Sequence, residues 1–281
     1  MLSNLRRAAD EIVITESPIE AADEQLRPLL HFISMVGERL GELHVLLAQP
    51  TDNEAFAPRR ADARDVAAIR ETVTGEITYA FSKLTDLEDN VEPEIAGRMS
   101  LLLAERDRII ALASAVAGEA KGTLLTRAHG DFHLGQILVA EGDAVIIDFE
   151  GEPARNLAER RAKTSPLRDA AGLLRSLDYL SATAMLENDA ISDHHDARRR
   201  EVIRRFAENA ERIFLTSYIE ALAVSPDLPK ESAEVRRIID IFLLEKAAYE
   251  IAYEARNRPK WLPIPLNGLA AIIARLSESR S

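Results

Sequence analysis

Apolar residues recur at a helical spacing along most of the chain. Between residues 21 and 48 they return every three or four positions, which is the period of one face of an α-helix. The polar run QPTDN at 49–53 ends this pattern, and Pro93 suits the first turn of a later helix. The periodicity predicts helices over residues 21–48, 62–84, 93–116, 166–187, 196–224, 232–256 and 265–277.

A short β-rich insert interrupts the helices near residues 124–150. Apolar segments suited to strands occupy residues 124–128, 137–140 and 144–148, and the turn EGD at 141–143 predicts a hairpin between the last two. We therefore expect a mainly α fold with a small β insert. We expect residues 1–20 to form a poorly ordered extension and residues 21–281 to form one lobe.

Composition narrows the class of protein. The chain has 281 residues, a formal net charge of −12 and no cysteine, so it has neither disulfides nor thiolate metal sites. The acidic balance argues against a nucleic-acid partner. No apolar run approaches the length of a membrane span, and the N-terminus lacks a signal-peptide pattern. These features predict a soluble cytoplasmic protein without a membrane partner.

The candidate chemistry lies inside the β insert. The segment HGDFHLGQ at 129–136 follows the kinase catalytic loop, in which H-x-D is followed by four residues and then an amide. The amide here is Gln136 where protein kinases have asparagine. The segment VIIDFE at 145–150 then delivers Asp148 in an Asp-Phe turn, which is typical of the metal-binding aspartate of that class.

These residue types suit phosphoryl transfer from ATP. Asp131 would accept the proton of an attacking hydroxyl. Asp148 would bind Mg²⁺, a cation that prefers oxygen ligands, and Gln136 offers a carbonyl oxygen for a second metal position.

Two other interpretations of the same segment stay open. The carboxylates could belong to a surface turn without function. Alternatively, His129, Asp131 and His133 alternate, so on a strand they would share one face and could hold zinc in a hydrolase. A further ligand pair with zinc-like spacing is missing, because His194 and His195 lie far away in a polar stretch.

The motifs together resemble bacterial maltokinase, over roughly residue 21 to the C-terminus. Four segments carry the resemblance: HGDFHLGQ at 129–136, DFEGEP at 148–153, SPLRD at 165–169 with LLRS at 173–176, and YEARNRP at 253–259 with Trp261.

The resemblance implies the C-terminal lobe of the aminoglycoside phosphotransferase-like kinase fold, with the N-terminal lobe absent. It implies an ATP- and Mg²⁺-dependent transferase that phosphorylates maltose for α-glucan synthesis. Upstream of His129 there is no glycine-rich loop and no strand lysine to grip the nucleotide. The implied partners are therefore maltose or a related sugar, and also trehalose synthase or a separately encoded N-lobe.

The resemblance also assigns roles to further residues. Asp131 corresponds to the catalytic base, and Gln136 and Asp148 correspond to the metal ligands. His129 is expected to brace the loop, and Arg168 with Asp169 to brace a helix start as an ion pair. His44 is expected to be structural. Candidate sugar contacts are His133, Glu150, Tyr249, Tyr253, Arg258 and Trp261.

Other interpretations of these residues and of the whole chain stay open. Tyr249 and Trp261 could be ordinary packing aromatics. The whole chain could be a non-catalytic module that binds sugar or docks onto trehalose synthase. It could also be a kinase for an aminoglycoside or choline, against which Gln136 and the segment EGEP at 150–153 argue.

Overall fold

The computed structural model of the chain describes residues 1–15, 18, 20–87, 91–186 and 193–278. Helices and short strands alternate in the following order: α1 Leu2–Ile14, α2 Ala21–Leu47, β1 Arg59–Arg60, α3 Ala63–Leu87, α4 Pro93–Ala104, α5 Arg106–Ala117, β2 Leu124–Leu125, β3 Ile137–Ala140, β4 Asp143–Ile146, α6 Leu157–Arg161, α7 Leu167–Leu186, α8 Asp193–Leu222, α9 Ser232–Asn257 and α10 Pro263–Glu278. Short 3₁₀ turns occupy Gly118–Ala120, Leu134–Gln136 and Pro259–Trp261.

Helix α2 packs closely along α8, and two glycines make this approach possible. A Cβ on Gly37 would lie 2.6 Å from the carbonyl oxygen of Phe214, and one on Gly41 would lie 2.5 Å from the Cβ of Ala221. Helices α3 and α7 both pack on α9, whose apolar residues are almost all buried. The core therefore lies among α2, α3, α7, α8 and α9.

The strands form two small antiparallel pairs. Strand β1 pairs with β2, with Arg59 opposite Leu125 and Arg60 opposite Leu124. Strands β3 and β4 form the predicted hairpin, with Ile137 opposite Ile146 and Ala140 opposite Asp143. The turn residues Glu141 and Gly142 both have positive φ, of 53° and 84°, as a two-residue hairpin turn requires.

A cation on α2 holds the tip of this hairpin. The Nε of Arg39 donates to both carboxylate oxygens of Asp143, at 3.0 and 3.1 Å, while its Nη1 donates to Glu42 at 2.6 Å. The hairpin is thus attached to the helical core through a side chain as well as through its own strands.

Most predicted helices are confirmed to within a few residues, but several boundaries differ. The helix expected over 93–116 breaks at Glu105, whose ψ of 12° leaves the helical range, so α4 and α5 are separate. The predicted end of the helix at Glu187 lies outside the described residues. The strand expected over 124–128 stops at Leu125, because Thr126 pairs instead with Thr164 in an isolated bridge.

The chain's first residues also differ from expectation. We expected a poorly ordered extension, but residues Leu2–Ile14 form helix α1. Leu5, Ala8 and Ile12 lie on one face of it and are buried against α2, α7 and α8. These residues are three and four positions apart, so the apolar face is visible in the sequence as a helical pattern.

No helix in the described part of the chain is both long and apolar enough to cross a bilayer.

We expect Gly37→Ala to destabilise the protein by about 1–3 kcal/mol, because the new methyl group has no room between α2 and α8. Equilibrium unfolding in urea measures the change. Gly75→Ala in α3 is the matched control, since nothing lies within 4 Å of a Cβ at that position. There the better helix propensity of alanine should stabilise the protein by up to about 1 kcal/mol. Equal effects of the two substitutions would contradict a tight α2–α8 contact.

Candidate active site

The segment 129–136 leaves β2 and crosses the face of the helical core. Thr126 exchanges two backbone hydrogen bonds of 2.9 Å with Thr164, which fixes the chain just before this segment. Gly130 has a φ of 86°, in the left-handed region, and a Cβ there would lie 3.3 Å from the Cα of Gly151. Glycine at this position therefore allows both the turn and the close approach of the DFEGEP segment.

A buried carboxylate anchors the start of this loop. The Oδ2 of Asp169 accepts from the backbone N–H of His129 at 2.7 Å, and its Oδ1 accepts from that of Gly130 at 2.9 Å. The Nε2 of His44 lies 3.2 Å from the Oδ2 of Asp169, and its Nδ1 lies 2.7 Å from the hydroxyl of Tyr218. This network joins α2, α7, α8 and the loop, and it confirms His44 as a structural histidine.

The environment favours the ionised form of Asp169. Burial alone would raise its pKa, but the hydrogen bond and charge of His44 and the two backbone N–H groups outweigh burial and lower the pKa. The loop is therefore held by a charged acceptor within the protein interior.

His129 ties the loop to the hairpin. Its buried ring places Nε2 2.8 Å from the carbonyl oxygen of Ile147, and its Nδ1 lies 3.3 Å from the backbone N–H of Asp131. A ring that is protonated on Nε2 satisfies both contacts. His129 thus connects the residue before Asp148 with the backbone of Asp131.

Gln136 and Asp148 lie side by side. The Nε2 of Gln136 donates to the Oδ2 of Asp148 at 3.1 Å, and the N–H of Ile147 donates to the carbonyl oxygen of Gln136 at 3.0 Å. Asp148 has a φ of 65°, an uncommon conformation for a residue other than glycine. Strand β4 ends at Ile146, two residues before Asp148, and the exposed carboxylate of Asp148 lies beside Gln136.

This pair suits Mg²⁺ in its chemistry. A carboxylate and an amide oxygen are the hard ligands that Mg²⁺ takes, and the cation keeps waters and phosphate oxygens in its remaining positions. Rotation of the Gln136 amide would place its oxygen where the nitrogen now contacts Asp148. The residues present therefore fit the predicted metal.

Helix α7 packs against the catalytic loop at residues 129–136. A Cβ on Gly172 would collide with the carbonyl oxygen of Phe132, so glycine lets the loop pack directly on the helix. The Oγ of Ser176 accepts from the N–H of Leu134 at 3.1 Å. The SPLRD and LLRS segments thus act by positioning the loop.

The zinc-hydrolase interpretation finds no support. His129 is buried and engaged with Ile147, and the Nδ1 of His133 accepts from the N–H of Gly135 at 3.0 Å. In the parts of the chain that are described, no group of three or more histidine, cysteine, aspartate or glutamate side chains could hold a metal ion.

The expected ion pair between Arg168 and Asp169 is wrong. Arg168 instead binds Glu245 of α9 in a fork of 2.9 and 2.5 Å, while Asp169 faces His44 and the loop. Arg155 donates to the same Glu245 carboxylate at 3.0 Å. Burial would raise the pKa of Glu245, but the charges and hydrogen bonds of Arg168 and Arg155 lower it.

The predicted sugar contacts on α9 divide into two groups. Tyr249 and Tyr253 stack with ring centroids 6.4 Å apart, and both are partly exposed. The pKa of Tyr249 is raised first by burial and then by the charges of Glu152, Tyr253, Glu76 and Asp131. Glu152, Glu76 and the predicted catalytic base Asp131 thus contribute negative charge to the surroundings of Tyr249.

The second group lies around Tyr179. Trp261 stacks on Tyr179 at 6.4 Å, and the Tyr179 hydroxyl donates to Glu254 at 3.1 Å. Arg258 donates to Glu254 at 2.6 Å and lies 4.9 Å over the ring of Trp261. Arg258 and Trp261 thus have structural partners on α7 and α9, and their contact with a sugar stays a prediction.

The remaining predicted contacts are less constrained. His133 is partly exposed at the start of the 3₁₀ turn, and Glu150 is exposed, with its carbonyl oxygen 3.5 Å from Arg160. The sequence suggests Glu152, beside Glu150, as a residue that tunes the metal or the sugar, but sequence analysis missed Glu76, which shares the surroundings of Tyr249 with it. Glu152 lies inside the DFEGEP segment, but nothing in the pattern of α3 distinguishes Glu76 from a solvated helix residue.

Comparisons with known proteins were made on sequence and on structure. No family model matches the chain. It is 28% identical to a glucosamine kinase of Streptacidiphilus jiangxiensis over 83% of this chain and 47% of that protein. It is 27% identical to a glucosamine kinase of Mycolicibacterium smegmatis over 87% of this chain and 54% of that protein. The chain therefore spans about half the length of the curated relatives that it matches.

Solved structures show the same fold. The structure of a glucosamine kinase in complex with glucosamine, ADP and inorganic phosphate superposes with a TM-score of 0.73, at 24% identity, over 99% of this chain and 62% of that one. Crystal form A of a glucosamine kinase gives a TM-score of 0.73 at 23% identity, over 99% of this chain and 60% of that one.

These findings correct the expected resemblance. The relatives and structural neighbours are glucosamine kinases, so the assignment to maltokinase is wrong. Three further expectations depend on that assignment and are not supported: maltose as substrate, trehalose synthase as partner and a role in α-glucan synthesis. The comparisons also give no support to a separately encoded N-lobe as a partner.

We expect Asp169→Asn to destabilise the protein by about 2–4 kcal/mol at neutral pH, because an amide cannot accept from both backbone N–H groups and His44. Since the folded-state pKa of Asp169 is lowered, its contribution is present above the ordinary pKa of an aspartate. That contribution is lost as pH falls through the lowered value, so the two proteins should converge in acid.

Urea unfolding of both proteins across a pH series measures this difference. The exposed Asp52→Asn serves as control and should show little change at any pH. Equal stability of wild type and Asp169→Asn at neutral pH would contradict the anchoring role.

Proposed function

We propose that this chain carries the catalytic part of an ATP-dependent sugar kinase that phosphorylates the amino sugar glucosamine. The observation that carries the proposal is the arrangement of Gln136 beside Asp148, tied through His129 to the backbone of Asp131. The two curated relatives named as glucosamine kinases support the choice of substrate class.

We further propose that the helical body corresponds to the C-terminal lobe of the kinase-like fold. The hairpin that leads to Asp148 and the loop that contains Asp131 are joined through His129, as the active centre of such a lobe requires. The likeness to the glucosamine kinase solved with ADP and inorganic phosphate supports this assignment.

The chemistry assigned to the side chains follows from their positions. Asp131 accepts the proton of the attacking sugar hydroxyl and orients that oxygen toward the phosphorus atom. Gln136 and Asp148 would hold Mg²⁺, which neutralises charge on the phosphate oxygens when it is bound. The Asp169 network keeps the loop backbone fixed, so that Asp131 stays in place during the reaction.

The carboxylates around Tyr249 favour an amino sugar over a neutral one. Burial raises the pKa of Glu76, and the charges of Glu245 and Glu152 add to that effect while Arg155 opposes it. Glu76, Glu152 and Asp131 all act on Tyr249, so negative charge gathers around this residue, and Arg155 offsets part of it through its ion pair with Glu152. An ammonium group would relieve the repulsion among these carboxylates, which a hydroxyl at the same position cannot do.

We expect Asp131→Asn to lower kcat for glucosamine phosphorylation by roughly 10²–10⁴-fold, because the amide cannot take the hydroxyl proton. Glucosamine affinity should change little. ADP release by the full chain with Mg²⁺-ATP and glucosamine measures the rate, and Asp107→Asn on the exposed side of α5 is the control. Full activity of Asp131→Asn, or ADP release that does not depend on sugar, would contradict the proposal.

We expect Glu76→Gln to weaken glucosamine binding roughly tenfold, because one charge-assisted hydrogen bond is worth about 1.5–3 kcal/mol. Glucose binding should be unchanged, since glucose has no ammonium group. Titration calorimetry with the two sugars measures both affinities, and Glu71→Gln, exposed on the same helix, is the control. An equal loss for both sugars would show that Glu76 does not recognise the amino group.

A further inference from the structure

A cavity lies between the start of α3, strand β2 and the segment that follows α6. It has a volume of about 870 Å³, within the range of small-molecule sites. None of the residues that line it belongs to the candidate active site. The residues that decide its chemistry are Phe56, Arg59, Asp65, Arg127, Arg161 and Lys163.

The cavity carries an excess of positive charge. Arg59 and Asp65 neutralise each other in a bidentate pair of 2.5 and 2.6 Å. Arg127, Arg161 and Lys163 have no carboxylate within ion-pair distance among the described residues. Arg127 donates to the carbonyl oxygen of Arg161, and Lys163 donates to that of Glu54 at 2.7 Å. Carbonyl oxygens satisfy hydrogen bonds but leave the cationic charges uncompensated.

This concentration of charge runs against the rest of the molecule. The chain has a formal net charge of −12, so three uncompensated cations around one cavity are not an average property of its surface. Like charges held close together repel each other, and a bound anion would remove that repulsion. The cavity therefore presents a preformed site for negative charge.

An aromatic ring completes the cavity wall. Phe56 is 47% exposed, and the guanidinium of Arg127 lies 5.8 Å over its ring. Nη1 of Arg127 is engaged with the carbonyl oxygen of Arg161, and its other N–H groups are left to donate the hydrogen bonds that phosphate oxygens accept. The exposed part of the ring offers an apolar surface for the organic part of a ligand.

We propose that this cavity binds a small organic phosphate, with the phosphate between Arg127, Arg161 and Lys163 and the organic part against Phe56. Three cations match a phosphate better than a single carboxylate, because a phosphate monoester carries up to two negative charges and three acceptor oxygens. This site is separate from the ATP site proposed above and does not depend on it.

The position of the cavity gives binding a structural consequence. Arg127 stands two residues before His129, and Lys163 stands next to Thr164, which pairs with Thr126. A ligand that contacts both cations would join the strand entering the catalytic loop to the segment leaving α6. Binding should therefore stabilise the folded protein in proportion to ligand concentration.

The test uses two probes, pyrophosphate and phenyl phosphate, with a metal chelator present so that no divalent cation can draw either probe to Asp148. Titration calorimetry with the full chain should show one site for each probe. Arg161→Glu should weaken both more than tenfold, and it should fold normally because Arg161 is exposed. Phe56→Ala should weaken phenyl phosphate but leave pyrophosphate unchanged.

Arg212→Glu on α8 is the matched control, because it makes the same change in net charge at an exposed position outside the cavity lining. It should leave both affinities within twofold. Equal weakening by Arg212→Glu and Arg161→Glu would overturn the proposal in favour of diffuse electrostatic attraction. Failure of both probes to bind at millimolar concentration would also overturn it. Asp131→Asn should not affect either probe, which separates this test from that of the kinase activity.

Discussion

A single carboxylate removed from water sets the geometry on which the candidate site depends. Asp169 accepts hydrogen bonds from two consecutive backbone N–H groups of the catalytic loop and faces His44 on a third side. Ionised carboxylates are costly to bury, so such a group is stable only when its acceptor positions are filled. The loop, α2 and α7 must therefore reach their native relative positions before the charge of Asp169 is compensated. That requirement makes formation of the loop a cooperative part of folding.

Close backbone contacts at three glycines make this arrangement of the loop and the helices possible. Gly172 lets the loop rest on α7, and Gly37 and Gly41 let α2 approach α8 without side chains between them. The same helices present His44 and Tyr218 to each other at 2.7 Å. Small residues at the crossings thus determine where the polar network can form. The apolar core supplies the stability, and the network supplies the single arrangement of the loop.

The arrangement of residues that are close in sequence could be predicted, and the contacts between residues that are distant in sequence could not. The loop at 129–136, the hairpin turn at 141–142 and Asp148 are contiguous, so their spacing alone indicates their arrangement. The partner of Asp169 is His44, which lies 125 residues away, and the partner of Arg155 is Glu245, which lies 90 residues away. A pattern of apolar periodicity does not tell which buried charges meet. For the same reason, the sequence suggests that Arg168 pairs with its neighbour Asp169, whereas Arg168 binds Glu245 across the fold. Substrate identity was also beyond the pattern, because the motifs near Asp131 describe phosphoryl transfer in general and not the sugar.

Helix α2 has a further property that follows from its two polar contacts. Through Arg39 it holds the tip of the hairpin at Asp143, and through His44 it holds the anchor of the catalytic loop. Five residues along a helix span about 7.5 Å, and a helix resists changes in length. The helix thus fixes the distance between the hairpin and the catalytic loop. A movement of α2 as a rigid body would therefore shift the loop and the hairpin together, with their spacing preserved.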